Sequence, residues 1–504
     1  YHPHLSIAGN CRMCQVEVKG APKMEIACNT VVKEGMEVLT QEASAKAKDA
    51  QAATLEFILI NHPLDCTVCD QAGHCKLQDY HYEYNARPSR FLEDKVHKVK
   101  AVPLGPTVIL DGERCIMCTR CIRFCDEVTG TSELGMLNRG DRSVIAINPG
   151  RELNNPLSGT VVDLCPVGAL THRDWRFNTR IWFTKQVDTI CPGCSTGCNA
   201  KAAVRDQQVV QVKARMNDKV NKEWMCDEGR YGFHRFLPEK RILSPLVEGK
   251  AVSREEALKA VKGLAGDDLL VLLSPDLMLE DYVRIKGFLD KSFKSYTSAV
   301  AYRERKLTPV EAILISPDYA CNFRGAVFAG LAAGNLEQSY NEALQGLVNG
   351  KFSRVLMVGD RSIIANDQKS EVLHAISKAQ CSVGIFTDAE SPLASAAKII
   401  LPGRSILEKS GMLINRRNRL QYAQQLLDFP ESSDPEWRIV TRLAEAFGNK
   451  LGDAVADREA TFETIKGDTR LAGLTIKRIK DGGVDLEAIS AKAAESEAAA
   501  EARV

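Results

Sequence analysis

The chain has no surplus of charge and no long apolar run. Its 504 residues include 66 basic and 65 acidic ones, for a formal net charge of +1. The chain therefore has no excess of positive charge of the kind that indicates binding to nucleic acid. Its longest apolar stretches, such as residues 269–273, are far shorter than the roughly 20 residues of a membrane-spanning helix. At roughly 150 residues per domain, we expect three or four domains and no membrane span.

The sequence also lacks an initiating Met and a basic, apolar leader, because it begins at Tyr1. We therefore expect that a piece preceding Tyr1 has been removed or lost. A disulfide framework is one interpretation of a cysteine-rich chain, but such frameworks are typical of short secreted proteins. Clustered thiols in a long chain without a leader favour metal binding in a reducing compartment.

Cysteine is scarce in the second half of the chain. All but two of the 17 cysteines lie between Cys11 and Cys226, and the exceptions are Cys321 and Cys381. Those of the first half are spaced in four groups, each containing Cys-x-x-Cys. The chemistry of the protein is therefore predicted to lie in its first half.

The first group consists of Cys11, Cys14 and Cys28, with strand-like runs at residues 15–18 and 24–27. A 2Fe-2S site of ferredoxin type takes four thiolates, so this group needs one more ligand. The spacing differs from the plant-type Cys-x4-Cys-x2-Cys. Both an iron–sulfur cluster and zinc fit this group.

The second group follows a helix-like run at residues 41–60 and comprises His62, Cys66, Cys69 and Cys75. One imidazole and three thiolates suit either zinc or a 4Fe-4S cluster. His74, adjacent to Cys75, competes with His62 as the imidazole ligand.

The third group is a run of Cys115, Cys118, Cys121 and Cys125, followed later by Cys165 and a proline. It resembles half of a bacterial two-cluster ferredoxin, in which three cysteines of a run share a cluster with a Cys-Pro cysteine. Residues 150–160 contain no cysteine, so the second cluster of that arrangement is absent. The resemblance implies a 4Fe-4S site at Cys115, Cys118, Cys121 and Cys165, and it leaves Cys125 as a buried core residue.

The fourth group is Cys191, Cys194 and Cys198, followed by Cys226. Gly193 and Gly197 suit a tight loop whose backbone approaches a cluster. A zinc ribbon is the alternative, but its thiols are divided two and two. The three-plus-one division favours a 4Fe-4S cluster.

Beyond residue 247, apolar β-branched runs alternate with amphipathic helical segments. The candidate strands are residues 269–273, 312–315, 355–358, 383–386 and 398–401. Such runs predict a parallel sheet covered on both faces. Gly359 and Asp360 follow a strand without a G-x-G-x-x-G motif or a P-loop, so we interpret them as ordinary loop residues.

Taken in order, the four groups resemble the large iron–sulfur subunit of NADH-quinone oxidoreductases, over about residues 1–240. The resemblance implies a fourth 2Fe-2S ligand immediately upstream of Tyr1, and it identifies His62 as the unusual ligand of the second cluster. It also implies a structural role for the cluster of the fourth group.

Residues 397–402, 408–415 and 419–421 resemble a molybdopterin oxidoreductase domain. Two departures indicate that the pterin is absent. The segment after Cys226 is short for such an enzyme, and Glu228 stands where these enzymes usually carry Lys or Arg. A buried Glu would repel an anionic pterin, so we expect a scaffold without the cofactor.

The predicted fold is an α/β and α+β multidomain protein in which N-terminal iron–sulfur modules precede a molybdopterin-oxidoreductase-like parallel α/β domain. We expect a 2Fe-2S ferredoxin-like domain truncated at its N-terminus (1–40), a helical His-ligated 4Fe-4S domain (41–100), a 4Fe-4S ferredoxin-like domain (101–185), a 4Fe-4S domain of molybdopterin-oxidoreductase type (186–242), the α/β domain without cofactor (243–487) and an Ala/Glu-rich tail (488–504).

The resemblance implies an electron-relay subunit of respiratory complex I, a proton-pumping NADH-quinone oxidoreductase. It implies one 2Fe-2S and three 4Fe-4S clusters in this chain, without molybdopterin, flavin or catalytic residues. The implied partners are the NADH/FMN-binding subunit and the next iron–sulfur subunit of the peripheral arm. The implied location is the cytoplasmic face of the inner membrane, with membrane contact only through the complex.

Three alternatives remain at this point. An α-type subunit of an NAD-linked molybdopterin formate dehydrogenase shares the front modules, but it keeps a second cluster in the ferredoxin half. An iron-only hydrogenase shares the first modules, but its active-site cysteine motifs have no counterpart after Cys226. A scaffold protein carrying only zinc would be colourless and redox-silent.

Overall fold

The computed structural model describes residues 1–84, 88–360, 369–451, 469–471 and 473–486. These residues form two compact units. The first unit comprises Tyr1–Lys185, Trp224–Asp227 and Pro309–Ile313, and the second comprises Gln186–Glu223, Glu228–Thr308 and Leu314–Val504. The predicted tail at residues 488–504 lies outside the described residues.

The first unit is built from short strands and helices. Its strands are Gln15–Val18, Glu25–Ile26, Val38–Leu39, Val102–Pro103, Val108–Leu110, Leu134–Leu137, Val144–Ile147 and Leu170–His172. Its α-helices are Ala45–Leu59, Lys76–Tyr84, Arg120–Arg123 and Thr160–Leu164, with a π-helical turn at Phe124–Val128. Its 3-10 turns are Cys66–Val68, Gly140–Arg142, Ile181–Phe183 and Glu311–Ile313.

The longest helix of the first unit, Ala45–Leu59, begins where the Ser44 hydroxyl accepts a hydrogen bond from the Ala47 N–H (3.1 Å). Such an N-cap satisfies an amide that has no partner within the helix. Gln51 on this helix donates to the carbonyl of Gln15 (2.8 Å), which fixes the helix against the first strand. The helix predicted at residues 41–60 is therefore confirmed. The strand predicted at residues 24–27 is only two residues long.

The second unit is centred on a seven-stranded sheet. Its strands run in the order Lys250–Ala251, Leu246–Val247, Ile399–Pro402, Cys381–Phe386, Arg354–Val358, Leu269–Leu273 and Tyr296–Val300. The last five are parallel, and the first two form an antiparallel edge. In chain order the parallel strands are arranged 2-1-3-4-5, a doubly wound topology.

Both faces of this sheet are buried. Leu269, Val271 and Leu273 point into one apolar cluster, while Leu270 and Leu272 point into another. Helices Arg254–Val261, Leu279–Ser292 and Glu436–Ala446 contribute to the first cluster, and helices Leu336–Val348, Lys369–Lys378 and Pro392–Ala396 contribute to the second. The continuous apolar strand arises because successive side chains face opposite layers. The predicted parallel sheet is confirmed.

Two small sheets complete the second unit. One contains strands Gln208–Ala214, Asn199–Arg205 and Lys185–Ile190. The first residue of the last of these strands belongs to the first unit. The other sheet contains Gly411–Ile414, Arg419–Ala423 and Val484–Asp485. The remaining described α-helices are Asp227–Tyr231, whose first residue belongs to the first unit, Phe323–Phe328 and Ile476–Lys480. The 3-10 turns are Gly232–Phe236, Lys262–Leu264, Ile406–Glu408 and Thr469–Leu471.

One strand prediction is wrong, and one parallel strand of the seven-stranded sheet was not predicted. Residues 312–315 include the end of a 3-10 turn, Glu311–Ile313, in place of the predicted strand. The strand Tyr296–Val300 lies at the sheet edge and contains the polar residues Thr297 and Ser298, so it lacks a continuous apolar run. Within the described ranges, no helix has the length and apolar character needed to cross a membrane.

Candidate metal centres

The first thiol group lies at the base of a β-hairpin. Strands Gln15–Val18 and Glu25–Ile26 pair antiparallel, and the Ala27 N–H donates to the carbonyl of Cys14 (3.0 Å). Burial raises the pKa of the Cys28 thiol, and the neighbouring Cys14 and Cys11 thiols raise it further. The fold therefore brings Cys28 close to Cys11 and Cys14, although the hairpin separates it from them in sequence.

The second thiol group lies between two helices. Cys66 opens a 3-10 turn, and Cys75 directly precedes helix Lys76–Tyr84. Burial raises the pKa of the Cys75 thiol, and the nearby Cys69 and Cys66 thiols add to the rise, whereas amides of the first helical turn lower it. Sulfur that accepts amide hydrogen bonds is stabilised as the thiolate, which is the form that binds metal. The structure therefore brings Cys66, Cys69 and Cys75 together.

The two candidate imidazoles have different surroundings. Burial, with smaller contributions from Lys95 and Arg114, lowers the pKa of His62 to about 4. Its Nδ1 atom is buried and has no hydrogen-bond partner among the described residues. A neutral ring with a free nitrogen suits metal coordination. His74 instead lines a cavity beside cysteines of the first and third groups.

Four thiols of the third group surround one small cavity. Cys115, Cys118, Cys121 and Cys165 line a space of about 20 Å³, together with apolar side chains such as Leu110. Burial raises the pKa of Cys121, and it raises that of Cys165 to about 12, with further contributions from the neighbouring thiols. Such thiols ionise together only when a metal offsets their charge. This donor set in an apolar setting fits an iron–sulfur cluster.

Cys125 is separate from the residues that line this cavity. It is fully buried within the π-helical turn Phe124–Val128. Burial raises the pKa of its thiol to about 12, and the neighbouring Glu133 and Asp126 carboxylates contribute to the rise. Its surroundings agree with the predicted role of a core residue.

Residues 165–168, which we call the 165–168 tetrapeptide, lie between the second and third groups. Cys165 lines the cavity of the third group. The next residue places its carbonyl oxygen 3.9 Å from the Cys75 sulfur. At the end of the segment, Gly168 lies against the Cys69 sulfur, where a Cβ would overlap that atom. The two thiol sets are therefore linked through four residues.

A larger cavity joins the first and third groups. It has a volume of about 580 Å³, and its lining includes Cys11, Cys14 and Cys28 on one side and Cys118 and Cys165 on the other. The third thiol group therefore adjoins the first group across this cavity and the second group through the 165–168 tetrapeptide.

Three thiols of the fourth group lie on a loop of the second unit. Cys191 and Cys198 are linked by a backbone hydrogen bond of 2.8 Å, and the Ser316 N–H donates to the Cys194 sulfur (3.5 Å). Burial raises the pKa of Cys191 to about 11, and Cys194 contributes. The fourth predicted ligand, Cys226, belongs to the first unit. Its place in this set therefore stays a prediction.

Glu228 differs from its expected state. Its side chain is 30% exposed, and its carboxylate pairs with Arg235 (2.6 Å) and Arg305 (2.8 Å). The expectation of a buried, repelling carboxylate is wrong, because two guanidinium groups offset its charge. Arg235 also reaches the carbonyl of Gly193 (3.3 Å), in the loop of the fourth group.

The switch point of the seven-stranded sheet is nearly closed. Open α/β sheets bind ligands in the crevice beyond the carboxyl ends of their strands. Here Ser274 and Gly359 follow the two strands at the switch point, and a Cβ at Gly359 would overlap that of Ser274. The remaining cavity is about 80 Å³, whereas ligand pockets typically have about 300–1,000 Å³. Asp360 accepts hydrogen bonds from the Thr387 and Asp388 amides (2.8 and 3.3 Å), which fits an ordinary loop residue.

Beside this cavity, Lys409 is paired with two carboxylates. Lys409 donates to Glu436 (2.5 Å) and to Asp281 (3.3 Å), and all three side chains are buried. Arg404 also lines the cavity, and its buried Nε atom has no hydrogen-bond partner among the described residues.

Among the described residues, no three Cys, His, Asp or Glu side chains are close enough to hold a single metal ion.

The sequence pattern did not identify three residues beside these groups. Arg114 precedes Cys115 and is buried, Gly168 accommodates the Cys69 sulfur, and Arg235 lies against the fourth group. A signal exists for the first two, since each lies within three residues of a predicted ligand. Nothing in the local sequence distinguishes Arg235.

Five family models match the chain in order. They are the 2Fe-2S iron-sulfur cluster binding domain (residues 2–43), the NADH-ubiquinone oxidoreductase-G iron-sulfur binding region (51–90), the ferredoxin-like domain of NADH-quinone oxidoreductase subunit 3 (105–171), the molybdopterin oxidoreductase Fe4S4 domain (184–236) and molybdopterin oxidoreductase (284–446). The chain therefore carries 2Fe-2S and 4Fe-4S binding domains, and the predicted fold class is confirmed.

Curated relatives extend this likeness. The chain is 41% identical over 266 residues to the mitochondrial NADH dehydrogenase (ubiquinone) iron-sulfur protein 1 of Solanum tuberosum, covering 52% of this chain and 36% of the relative. It is 38% identical over 300 residues to the NADH-ubiquinone oxidoreductase 75 kDa subunit of Reclinomonas americana, covering 58% and 43%. It is 36% identical over 299 residues to an NADH-quinone oxidoreductase subunit of Rickettsia bellii, covering 58% and 43%.

The match thus spans about two fifths of the length of these relatives. Among solved structures, an NAD+-reducing NiFe-hydrogenase in the H2-reduced state is 28% identical over 36% of this chain and 76% of its own, with a TM-score of 0.32. A score that low supports no conclusion about the fold.

Proposed function

We propose that this chain, a homologue of the 75 kDa iron–sulfur subunits of NADH-quinone oxidoreductases, relays electrons within such an enzyme. It receives electrons from a separate NADH-oxidising flavin subunit and passes them to the next iron–sulfur subunit, toward quinone. Iron–sulfur clusters supply one-electron transfer when they are bound. The residues of the chain bind the clusters, set the distances between them and control their surroundings.

The observation that carries this proposal is the 165–168 tetrapeptide. It joins the third thiol group to the second by contacts at Cys75 and Cys69. Isolated structural zinc sites need no such contact, whereas a relay requires its redox groups to be close together. The cavity shared by the first and third groups extends the series toward Cys11, Cys14 and Cys28.

The proposed ligand sets follow the four thiol groups. A 2Fe-2S cluster takes Cys11, Cys14 and Cys28 with one further ligand. The three 4Fe-4S clusters take His62, Cys66, Cys69 and Cys75; Cys115, Cys118, Cys121 and Cys165; and Cys191, Cys194, Cys198 and Cys226. The walls around the third set are largely apolar, and peptide N–H groups stabilise sulfurs of the second and fourth sets.

We further propose that the second unit holds no molybdopterin. The nearly closed switch point and the paired Lys409 support this view. A formate dehydrogenase α-type subunit needs that cofactor, so no observation favours this alternative. The unit then serves as a scaffold, and the cluster of the fourth group has a structural role.

The proposed partners are the flavin subunit and the next iron–sulfur subunit in the peripheral arm of the complex. The chain would lie at the cytoplasmic face of the inner membrane and reach the membrane only through the complex. Nucleic acid is not a proposed partner.

The proposal is tested with Cys118→Ala in the assembled complex. This change removes a ligand that faces the cavities of the third group. We expect NADH-to-quinone flux to be abolished while NADH oxidation by an artificial acceptor at the flavin persists. Cys381→Ala, which removes a buried thiol from the core of the second unit, is the matched control and should retain flux. Retained flux in an assembled Cys118→Ala complex would exclude this cluster from the route.

Metal analysis provides a second test. One 2Fe-2S and three 4Fe-4S clusters correspond to about 14 iron atoms per chain, by ligand counting. We expect that amount in the native complex, after correction for co-purifying subunits, with negligible molybdenum. Stoichiometric molybdenum would make this a catalytic pterin subunit, and zinc in place of iron would refute electron transfer.

A further inference from the structure

A partly buried network of charged residues connects the loops of the second and third thiol groups. Asp65 directly precedes Cys66, and Arg114 directly precedes Cys115. Arg114 pairs with Asp65 through Nη2 (2.9 Å) and Nε (3.0 Å), and its Nε atom lies 3.3 Å from Asp111. Lys100 joins the same carboxylates at 2.6 and 3.5 Å.

The guanidinium of Arg114 has one nitrogen that this network does not use. The residue is only 3% exposed. Its Nη1 atom is buried and has no hydrogen-bond partner in the part of the chain that the structure describes. A buried N–H donor without a partner costs free energy, so the site lacks an acceptor that belongs there.

The surroundings of Arg114 indicate what that acceptor is. Arg114 is a charged neighbour of both His62 and Cys69, two predicted ligands of the second cluster. The ring nitrogen of His62 and the sulfur of Cys69 are themselves predicted to bind the metal. The group that would lie among them, an iron–sulfur cluster, carries sulfides and thiolates that accept hydrogen bonds.

We propose that Arg114 directs its free Nη1 donor and its positive charge at the cluster held by His62, Cys66, Cys69 and Cys75, and thereby sets the reduction potential of that cluster. The proposal rests on the proposed function for the presence of the cluster. Reduction adds one negative charge, and a nearby cation stabilises the reduced form. Hydrogen bonds to the sulfurs act in the same direction.

The test uses Arg114→Gln in the assembled complex, with redox titration of the second cluster followed by EPR. The signal of that cluster is identified by its loss in Cys66→Ser. We expect the equilibrium constant for reduction to fall at least tenfold, which is ~59 mV for one electron. Iron content measured on the same sample establishes that the cluster is bound.

Lys100→Gln is the matched control. It removes one positive charge from the same network, but its side chain is 41% exposed, so solvent screens it. We expect a shift well below that of Arg114→Gln. Equal shifts in the two variants, or an unchanged potential in Arg114→Gln, would overturn the proposal.

Arg114→Lys keeps the charge but not the planar fork of donors. We expect a lower potential than in the native protein, with a smaller shift than in the Gln variant. If the Arg114→Gln protein does not bind the cluster, the proposal is tested with Arg114→Lys alone. A reduction potential in Arg114→Lys equal to that of the native protein would contradict the role of the Nη1 donor. Absence of a 4Fe-4S signal from this site in the native complex would instead refute the proposed function.

Discussion

Gly168 and Cys69 touch so closely that no side chain fits between them. A Cβ at position 168 would overlap the Cys69 sulfur, and it would also lie about 3.2 Å from the Cβ of Gln71. Since Gly168 is three residues from Cys165, its position depends on one ligand set while its surface shapes the other. A side chain at this position is therefore expected to disturb the second thiol group first, through Cys69.

We expect Gly168→Ala to displace Cys69 and to weaken binding of the second cluster. Iron per chain should fall by about four atoms, the content of one 4Fe-4S cluster, and quinone reduction should fall at least tenfold. Iron analysis with EPR of the assembled complex measures both effects. Gly287→Ala is the control, because a Cβ there meets only Leu451 at an ordinary 3.6 Å, and it should leave both values unchanged.

Cys121 and Cys125 lie four residues apart and are expected to respond differently. Cys121→Ala removes a thiol that lines the cavity of the third group, so the cluster EPR signal and about four iron atoms should be lost. Cys125→Ala removes a core thiol, which should cost about 1 kcal/mol of stability without loss of iron. Loss of iron from the Cys125 variant would show that its assignment as a core residue is wrong.

Glu280 is expected to make the second unit less stable as pH rises. Burial raises its pKa from 4.5 to about 8, so the folded state binds this proton more tightly than the unfolded state. The stabilisation is complete below about pH 4.5 and is lost as pH rises toward 8, by up to about 1.4 kcal/mol per pH unit. Calorimetric melting temperatures across this range should decline.

Glu280→Gln should flatten that decline, because the amide stays neutral and its oxygen can still accept the Met412 N–H. Glu256→Gln is the matched control. Glu256 is an exposed helix-capping residue, and its hydrogen bonds to Ser253 lower the pKa of its carboxyl group. In this variant the melting temperature should therefore still decline as pH rises. An unchanged slope in the Glu280 variant would argue against a protonated Glu280.

Lys409 is expected to be essential for the stability of the second unit. Lys409→Met leaves the buried carboxylates of Glu436 and Asp281 without their cation, and breaking a buried pair costs about 3–5 kcal/mol. The midpoint of unfolding by urea should therefore shift to lower urea concentration. Lys286→Met removes a surface pair with Asp290 and should cost at most about 1 kcal/mol.

The sequence predicted elements whose burial is uniform. Strand Leu269–Leu273 is apolar throughout, and strand Arg354–Val358 is apolar after its first residue, because both faces of the sheet are covered. Strand Tyr296–Val300 was not predicted because it lies at an edge, where only its last two residues are buried. Residues 312–315 resemble a strand in composition, but apolar content alone does not distinguish a short turn from a strand.

The grouping of thiols was also predictable, because Cys-x-x-Cys spacing is a local property. The contacts between groups were not. Gly168 and Cys69 meet only because the chain folds back over many residues, and the orientation of the Arg114 guanidinium depends on Asp65 and Asp111. Long-range geometry of this kind leaves no periodic signal in the sequence.

The 165–168 tetrapeptide spans the gap between the third and second thiol groups with a short, continuous piece of backbone. From Cys165 onward, the path consists of bonded backbone atoms until it ends against the sulfurs of Cys75 and Cys69. Thermal repacking of side chains cannot lengthen such a path. An insertion or deletion within residues 165–168 would alter the second and third thiol groups together. We therefore expect this segment to tolerate less variation in length than any other part of the first unit.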